Sequence, residues 1–330
     1  MHLILNSYGT ALYVKNNSFL VVAEAGEEQL PPQHVKSISI ARGTRVSSDA
    51  VLLAIRYEID LLFVDGRGEP AGRVWSNRYG SIATIRKNQL AFVYSTAAVD
   101  WIKELLAAKL NAQSALLLSL RPDEGNQRQP RIVQRALNAL ADHRDKITAV
   151  AGELVTDIAP SLRGWEGAAS RRYLQAIAEF MPAPYAFAGR SKRPAADRFN
   201  ALLNYGYGML YGKVEGALIR AGLDPYVGVL HRDDYNRPVL VFDVIERYRA
   251  WIDHVVIHLC RQEAFPDEGF ADREGGGVWL EGIGKRILVQ AVNDYLHEVI
   301  ALNGLQRSRE EHLKQYAHAL ATRMLDFTTT

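Results

Sequence analysis

The sequence predicts an α+β protein: a small N-terminal β-sandwich-like domain followed by a larger all-α domain. Two observations carry this. Over residues 1–80 the apolar residues recur with a period near two, in short runs separated by turn formers. From about residue 81 the period lengthens to nearly four and stays there almost to Asp326. No repeat at a fixed period and no low-complexity tract interrupts that single change.

In the first part, His2-Leu3-Ile4-Leu5, Ala11-Leu12-Tyr13-Val14 and Phe19-Leu20-Val21-Val22 read as strands, with turns at Tyr8-Gly9-Thr10 and Asn16-Asn17. Val35 to Ile40 alternates apolar and polar residues, as a half-buried strand does. A short helix is expected from Ser47 to Glu58, capped by Ser48 and carrying Val51, Leu52, Ile55 and Tyr57. Leu61-Leu62-Phe63-Val64 is the next strand, ended by Asp65-Gly66.

In the second part, Trp101, Leu105, Leu106, Leu110, Leu116, Leu117 and Leu120 mark long helices. Arg121-Pro122 through Gln129-Pro130 reads as a loop. Further breaks fall at Pro182-Ala183-Pro184, Gly189 to Pro194, Gly222 to Pro238 and Pro266 to Gly277. Gly222 is placed to end one helix, and Pro238 to begin another that runs through Val241, Ile245, Tyr248, Ile252 and Leu259.

Composition narrows the function classes. The 330 residues are 48% hydrophobic and 23% charged, as in a globular protein with a sizeable core. A net charge of +2 leaves any nucleic-acid surface to local clusters. One cysteine, Cys260, excludes an intrachain disulfide and a thiolate-clustered zinc site. With no signal-peptide pattern and no apolar run near the roughly 20 residues of a membrane helix, a cytoplasmic protein without membrane contact is expected.

Several side chains stand out chemically. Glu166 falls in the inward stripe Leu162, Glu166, Ala169, Tyr173, Ile177 and Phe180, where a carboxylate is costly unless paired or coordinated. His231 closes the apolar loop Asp224-Pro225-Tyr226-Val227-Gly228-Val229-Leu230, and Asp243 and Glu246 lie three apart on the helix that follows. One imidazole with two or three carboxylates is a mostly hard-oxygen ligand set, suited to Mn²⁺ or Mg²⁺. Taken singly, each has a plainer explanation: Glu166 paired with Arg163, Asp243 with Arg247, Glu246 with Arg249, and His231 a packed or capping residue. Glycines at 208, 212 and 216, with Gly206 nearby, form a ladder at four-residue spacing on one helix, which makes sense where another backbone approaches that face closely.

Basic residues mixed with aromatics point to phosphate backbones. Arg67, Arg73, Arg78, Arg86 and Lys87 accompany Trp75 and Tyr79, opposed only by Glu69. Arg171 and Arg172 follow Glu166 by about one turn, and Arg190, Lys192, Arg193 and Arg198 share a loop.

Together these segments resemble the CRISPR-associated integrase, the larger subunit of the spacer-acquisition machinery. The resemblance spans the whole chain. It is carried by Leu203-Asn204-Tyr205-Gly206-Tyr207 through Tyr211-Gly212, by Gly222-Leu223-Asp224-Pro225-Tyr226 and Gly228-Val229-Leu230-His231, and by Arg237-Pro238 with Asp243-Val244-Ile245-Glu246. The stretch from Glu166 through small residues to Arg172-Tyr173 resembles the family's first ligand motif.

The resemblance implies that residues 1–80 form a dimerisation domain and residues 81–330 a metal-dependent catalytic domain. It implies Glu166, His231 and Glu246 as ligands of Mn²⁺ or Mg²⁺, with Asp243 as an auxiliary catalytic carboxylate. The family's last ligand is often aspartate, where this chain has Glu246. It further implies DNA as the partner, both the protospacer and the CRISPR repeat, with Arg171, Arg172, Arg190, Lys192 and Arg193 as contacts. A homodimer and a small ferredoxin-fold subunit complete the implied assembly. The competing readings are a stand-alone metal-dependent nuclease for branched or single-stranded DNA, and a non-catalytic DNA-binding scaffold.

Overall fold

The computed structural model describes residues 1–65, 70–74, 82–231, 237–272, 276–302 and 304–327. The chain divides into two compact units, Met1–Gly80 and Ser81–Thr330.

In the first unit the strands are β1 (His2–Leu5), β2 (Ala11–Lys15), β3 (Ser18–Ala23), β4 (Gly26–Leu30), β5 (Ser37–Ala41), β6 (Arg45–Val46), β7 (Asp60–Val64) and β8 (Pro70–Arg73). They form two sheets, ordered β1-β5-β7-β8 and β4-β3-β2-β6. Both are mixed: β1–β5, β5–β7 and β2–β6 pair in parallel, the remainder antiparallel. Asn16 and Asn17, at φ 51° and 56°, turn β2 into β3, as a tight hairpin with two left-handed residues requires. Leu5, Leu12, Phe19, Ile38, Ile40 and Leu61 form the core between the sheets, closed by Leu53 of α1 (Ser48–Arg56). The cap of α1 is Ser47, whose Oγ accepts from Ala50 N at 3.2 Å, so Ser48 is the first helical residue rather than the cap. Strand β4 was not anticipated, because Gly-Glu-Glu-Gln-Leu is an exposed edge with almost no apolar signal.

The second unit is built on α2 (Ile82–Val93), α3 (Thr96–Ser119), α4 (Arg128–Ala149), α5 (Val155–Ala178), α6 (Arg198–Arg220), α7 (Val239–Ile245), α8 (Arg249–Arg261), α9 (Gly282–His297) and α10 (Arg309–Leu325). Leu105 and Leu110 of α3, Leu162 of α5, Phe199 and Leu210 of α6 and Ile252 of α8 belong to one continuous core. Among the described residues no helix is long and apolar enough to cross a membrane.

Three departures from the sequence expectation matter. Helix α4 begins at Arg128, inside the expected loop; Pro130 is tolerated because the first-turn N–H groups have no helical partner. The helix expected after Pro238 is two helices, α7 and α8, separated by a turn at Glu246–Tyr248 whose N–H groups bond three residues back. The mostly helical unit also contains two hairpins, β9 (Phe270–Asp272) with β10 (Val278–Leu280) and β11 (Val299–Leu302) with β12 (Leu305–Ser308).

Two glycines position the site. At Gly206 of α6 an added Cβ would lie 2.5 Å from Ile252 Cγ2, so its absence lets α8 pack closely. Its neighbour Gly208 instead faces the Arg193 guanidinium, 4.0 Å from such a Cβ. Gly222, at φ +89°, ends α6: Gly222 N bonds Ile219 O and Leu223 N bonds Leu218 O, both at 3.0 Å.

Candidate metal and nucleic-acid site

Helix α5 carries Glu166 toward α3, and the turn after α7 brings Glu246 to the same point. Both carboxylates meet one cation, the Lys109 ammonium of α3: Nζ donates to Glu166 Oε1 and to Glu246 Oε2. Ser170, one turn along α5, adds a hydrogen bond to Glu166 Oε1 at 2.8 Å. Arg249 Nε donates to Glu246 Oε1 at 2.8 Å, so the local pair anticipated for Glu246 does form. The one anticipated for Glu166 is replaced: Arg163 Nη2 donates to Leu230 O at 2.6 Å, tying α5 to the loop that carries His231.

These charges set the ionisation. Burial alone would raise the Glu246 carboxyl, but Arg249 and Lys109 overcome it and hold the pKa at about 2. Burial alone would lower Lys109, yet Glu246 and Glu166 keep it above the ordinary lysine value. Glu246 and Lys109 therefore both stay charged at neutral pH.

His231 is fixed by Asp243. Gly228 makes the loop tight, since a Cβ there would lie 2.4 Å from His231 O and 2.8 Å from Val239 Cγ2. The loop N–H groups turn inward onto Asp243, which is wholly buried. Asp243 Oδ2 accepts from Val229 N at 2.6 Å and Leu230 N at 3.1 Å; Oδ1 accepts from His231 N at 3.0 Å and faces His231 Nδ1 at 2.8 Å. The carboxylate holds the Nδ1 proton and leaves Nε2 as the free ring nitrogen. That bond raises the His231 pKa despite partial burial, and the Glu246 charge adds to the effect. The local pairing anticipated between Asp243 and Arg247 gives way to this cradle.

The remaining wall is a buried polar network that the sequence reading missed. Tyr173 of α5 and Tyr207 of α6 donate to Asp253 of α8 at 2.8 and 2.5 Å. The Arg249 guanidinium lies over the Tyr207 ring, 4.6 Å from its centroid. Burial raises the pKa of Asp253, against the two tyrosine hydrogen bonds. Gln89 of α2, 1% exposed, braces the far end of the His231 loop. Its Nε2 donates to Asp224 O at 2.8 Å and Val227 O at 3.1 Å, and its Oε1 accepts from Asp224 N at 2.9 Å.

Beside these groups opens a cleft of about 870 Å³. Lys109, Glu166 and Glu246 form its floor, and Arg171, Arg172 and Lys192 stand at its walls. Arg190 also lines it but is anchored, donating to Asn200 Oδ1 at 2.9 Å and Asn204 Oδ1 at 2.6 Å. Arg193 lies against α6 and does not line the cleft. Of the other basic cluster, Arg73 is spent on Asp60 at 3.1 Å, while Arg67, Arg78, Trp75, Tyr79 and Glu69 lie outside the described residues.

The arrangement suits a divalent cation. Two carboxylate oxygens already converge on one positive charge. His231, oriented by a carboxylate and with a ring nitrogen to spare, is close enough for the Glu246 charge to act on it, although the ligand atoms of the three residues do not all lie within 4.8 Å of one another. Beside it, a basic cleft suits a phosphate backbone.

A sandwich-like β unit before a helical unit is also the fold of solved casposase and Cas1 structures. A casposase bound to integration product superposes with TM-score 0.82 at 20% identity over 100% of this chain and 92% of that one. A Cas1 protein from Thermotoga maritima superposes with TM-score 0.80 at 19% identity over 100% and 99% of the two chains. Sequence comparison gives the family. The model of CRISPR associated protein Cas1 matches residues 3–294. The CRISPR-associated endonuclease Cas1 1 of Archaeoglobus fulgidus is 33% identical over 271 residues, 78% of each chain. That of Thermus thermophilus is 30% identical over 304 residues, 91% of this chain and 88% of the relative. The class is thus that of CRISPR-associated endonucleases. The chain belongs to the Cas1 family.

Proposed function

We propose that this protein inserts captured DNA fragments into a CRISPR array by phosphodiester transesterification. The observation that carries the reading is the meeting of Glu166 and Glu246 on one cation, beside the Asp243-held His231, at the floor of a basic cleft. Glu166, His231 and Glu246 would hold Mn²⁺ or Mg²⁺. When bound, such an ion lowers the pKa of a hydroxyl and offsets charge at phosphorus. Asp243 acts through His231, fixing its tautomer and direction.

The chain's own groups do the rest. Arg171, Arg172 and Lys192 bind the DNA backbone along the cleft. Arg249 holds Glu246 in place. The 3′-hydroxyl of the fragment attacks a phosphodiester at the edge of a repeat; a new P–O bond forms, the old P–O3′ bond breaks, and the departing 3′-oxygen takes up a proton. Water in place of the hydroxyl turns the same step into cleavage.

The assembly we infer is a homodimer through the β unit, joined to a small ferredoxin-fold subunit, with protospacer and repeat DNA as substrates. A Cas6-RT-Cas1–Cas2 complex contains a chain of this fold, with TM-score 0.79 at 21% identity over 98% of this chain and 35% of that one. In the β unit, Ile4, Tyr13, Leu52 and Phe63 are exposed large apolar residues of the kind a dimer covers. Light scattering tests the dimer, and a monomer at micromolar concentration would exclude it. The function is tested by strand transfer of a short duplex into a repeat-containing target. Glu166→Gln, His231→Ala and Glu246→Gln should each abolish transfer with helical content unchanged. Normal transfer in all three would refute the assignment.

A further inference from the structure

The ammonium of Lys109 sits where the two proposed ligand carboxylates meet. Its position is unusual for lysine: the residue is 5% exposed, within the inward stripe of α3 formed by Leu105, Leu106, Leu110, Leu116 and Leu117. A buried lysine is expensive unless its charge is matched, and here it is matched twice. Without it, Glu166 and Glu246 would repel each other across the cleft floor, with Arg249 left to compensate only Glu246.

A divalent ion needs the same oxygens. Glu166 Oε1 already receives Lys109 and Ser170, and the two oxygens of Glu246 receive Lys109 and Arg249. Coordination through Glu166 Oε1 and Glu246 Oε2 therefore requires the ammonium to leave. Lysine can do this: its charge rides on a flexible four-carbon stem, and Lys109 itself lines the open cleft.

Resting on the metal-site reading above, we propose that Lys109 is a positioning residue that serves as a tethered stand-in for the metal. Its ammonium gathers Glu166 and Glu246 before the ion arrives, competes with the ion for them, and withdraws toward the cleft when the ion binds. Lys109 thus trades metal affinity for a preassembled ligand pair.

The test is calorimetric Mn²⁺ titration of the full-length protein without DNA. Lys109→Met, which keeps length and removes charge, should bind Mn²⁺ more tightly by on the order of tenfold. It should melt below the wild type without metal, and the gap should close at saturating Mn²⁺. Lys109→Arg should stay near wild-type affinity. Arg172→Met removes a charge that touches neither carboxylate and should change affinity less than about twofold. A folded Lys109→Met with unchanged or weaker Mn²⁺ binding overturns the proposal. Glu166→Gln separates the two readings: it should weaken Mn²⁺ binding, and unchanged binding there would overturn the metal site and the stand-in with it. Should Lys109→Met fail to fold, the wild type still decides by ¹⁵N NMR of the lysine ammonium. The Lys109 signal should be protected from exchange without metal and lost on adding Mg²⁺; a signal unchanged at saturating Mg²⁺ refutes withdrawal.

Discussion

Asp243 holds His231 twice with a single oxygen: Oδ1 lies 2.8 Å from the ring Nδ1 and 3.0 Å from the backbone N. Its other oxygen takes the two preceding N–H groups, so the whole turn leading to the histidine hangs on one buried carboxylate. Asp243 thus builds the site from behind, and its oxygens are already spent on His231 and the loop.

Asp243→Ala should therefore damage both fold and site. Two buried backbone N–H groups, of Val229 and Leu230, and the part-buried one of His231 would lose the Asp243 acceptor, each buried one costing roughly 1–3 kcal/mol. Mn²⁺ affinity should fall by roughly 10- to 100-fold, as for loss of a carboxylate that orients a ligating histidine. Urea denaturation and metal titration of the same sample check both. Native-like stability would show that the loop does not depend on this carboxylate.

A second brace on the same loop is Gln89. Gln89→Leu fills a similar space but leaves Asp224 N and Val227 O without their Gln89 partner, and Asp224 O with only the Val227 N–H at 3.3 Å, for an expected loss of about 2–3 kcal/mol. The mutant should also bind Mn²⁺ more weakly, although Gln89 is no ligand, because His231 is no longer held in place. Wild-type affinity in a destabilised Gln89→Leu would confine its role to stability.

How far this was legible in the sequence differs residue by residue. Glu166 announced itself because a carboxylate interrupts an apolar stripe, and the same signal was present for Lys109 among Leu105, Leu106 and Leu110. A lysine is no metal ligand, so the same interruption of an apolar stripe does not by itself mark a metal site. The Asp243 cradle and the Gln89 brace left no mark, since both are side chain-to-backbone bonds and periodicity registers only burial. The units of the fold were visible in the change of period. Strand β4 and the hairpin β11–β12 were not: the first is polar and exposed, and the second follows α9 as a short apolar run that reads equally as helix.

The ionisation of Glu246 gives a pH prediction. Its carboxyl is held at about 2 in the fold against an ordinary 4.5. A depressed carboxylate contributes stability that is present above the unfolded value and lost as pH falls toward the folded one. Metal-free wild type should thus lose stability between about pH 4.5 and pH 2. Glu246→Gln, less stable at pH 7, should lose less over the same window. Denaturant midpoints at pH 6, 4 and 3 measure this, and parallel curves for the two proteins would contradict it.

The basic residues of the cleft separate by what already holds them. Arg190 is committed to Asn200 and Asn204 and lies 5.3 Å from the centroid of the Tyr207 ring, so it supports the loop before α6. Arg171, Arg172 and Lys192 are exposed along the cleft, where they can meet phosphate; Arg172 makes one exposed bond, to Gln175 Oε1 at 3.2 Å. Neutralising these three together should weaken DNA binding and make the slope of log affinity against log salt shallower by about 2–3, near one released counterion for each lost contact. Arg190→Ala should chiefly lower the melting temperature, with a smaller change in that slope. Fluorescence anisotropy of a labelled duplex across a salt series reads both variants. A slope unchanged in the triple variant, with Mn²⁺ binding intact, would show that DNA does not run along this wall.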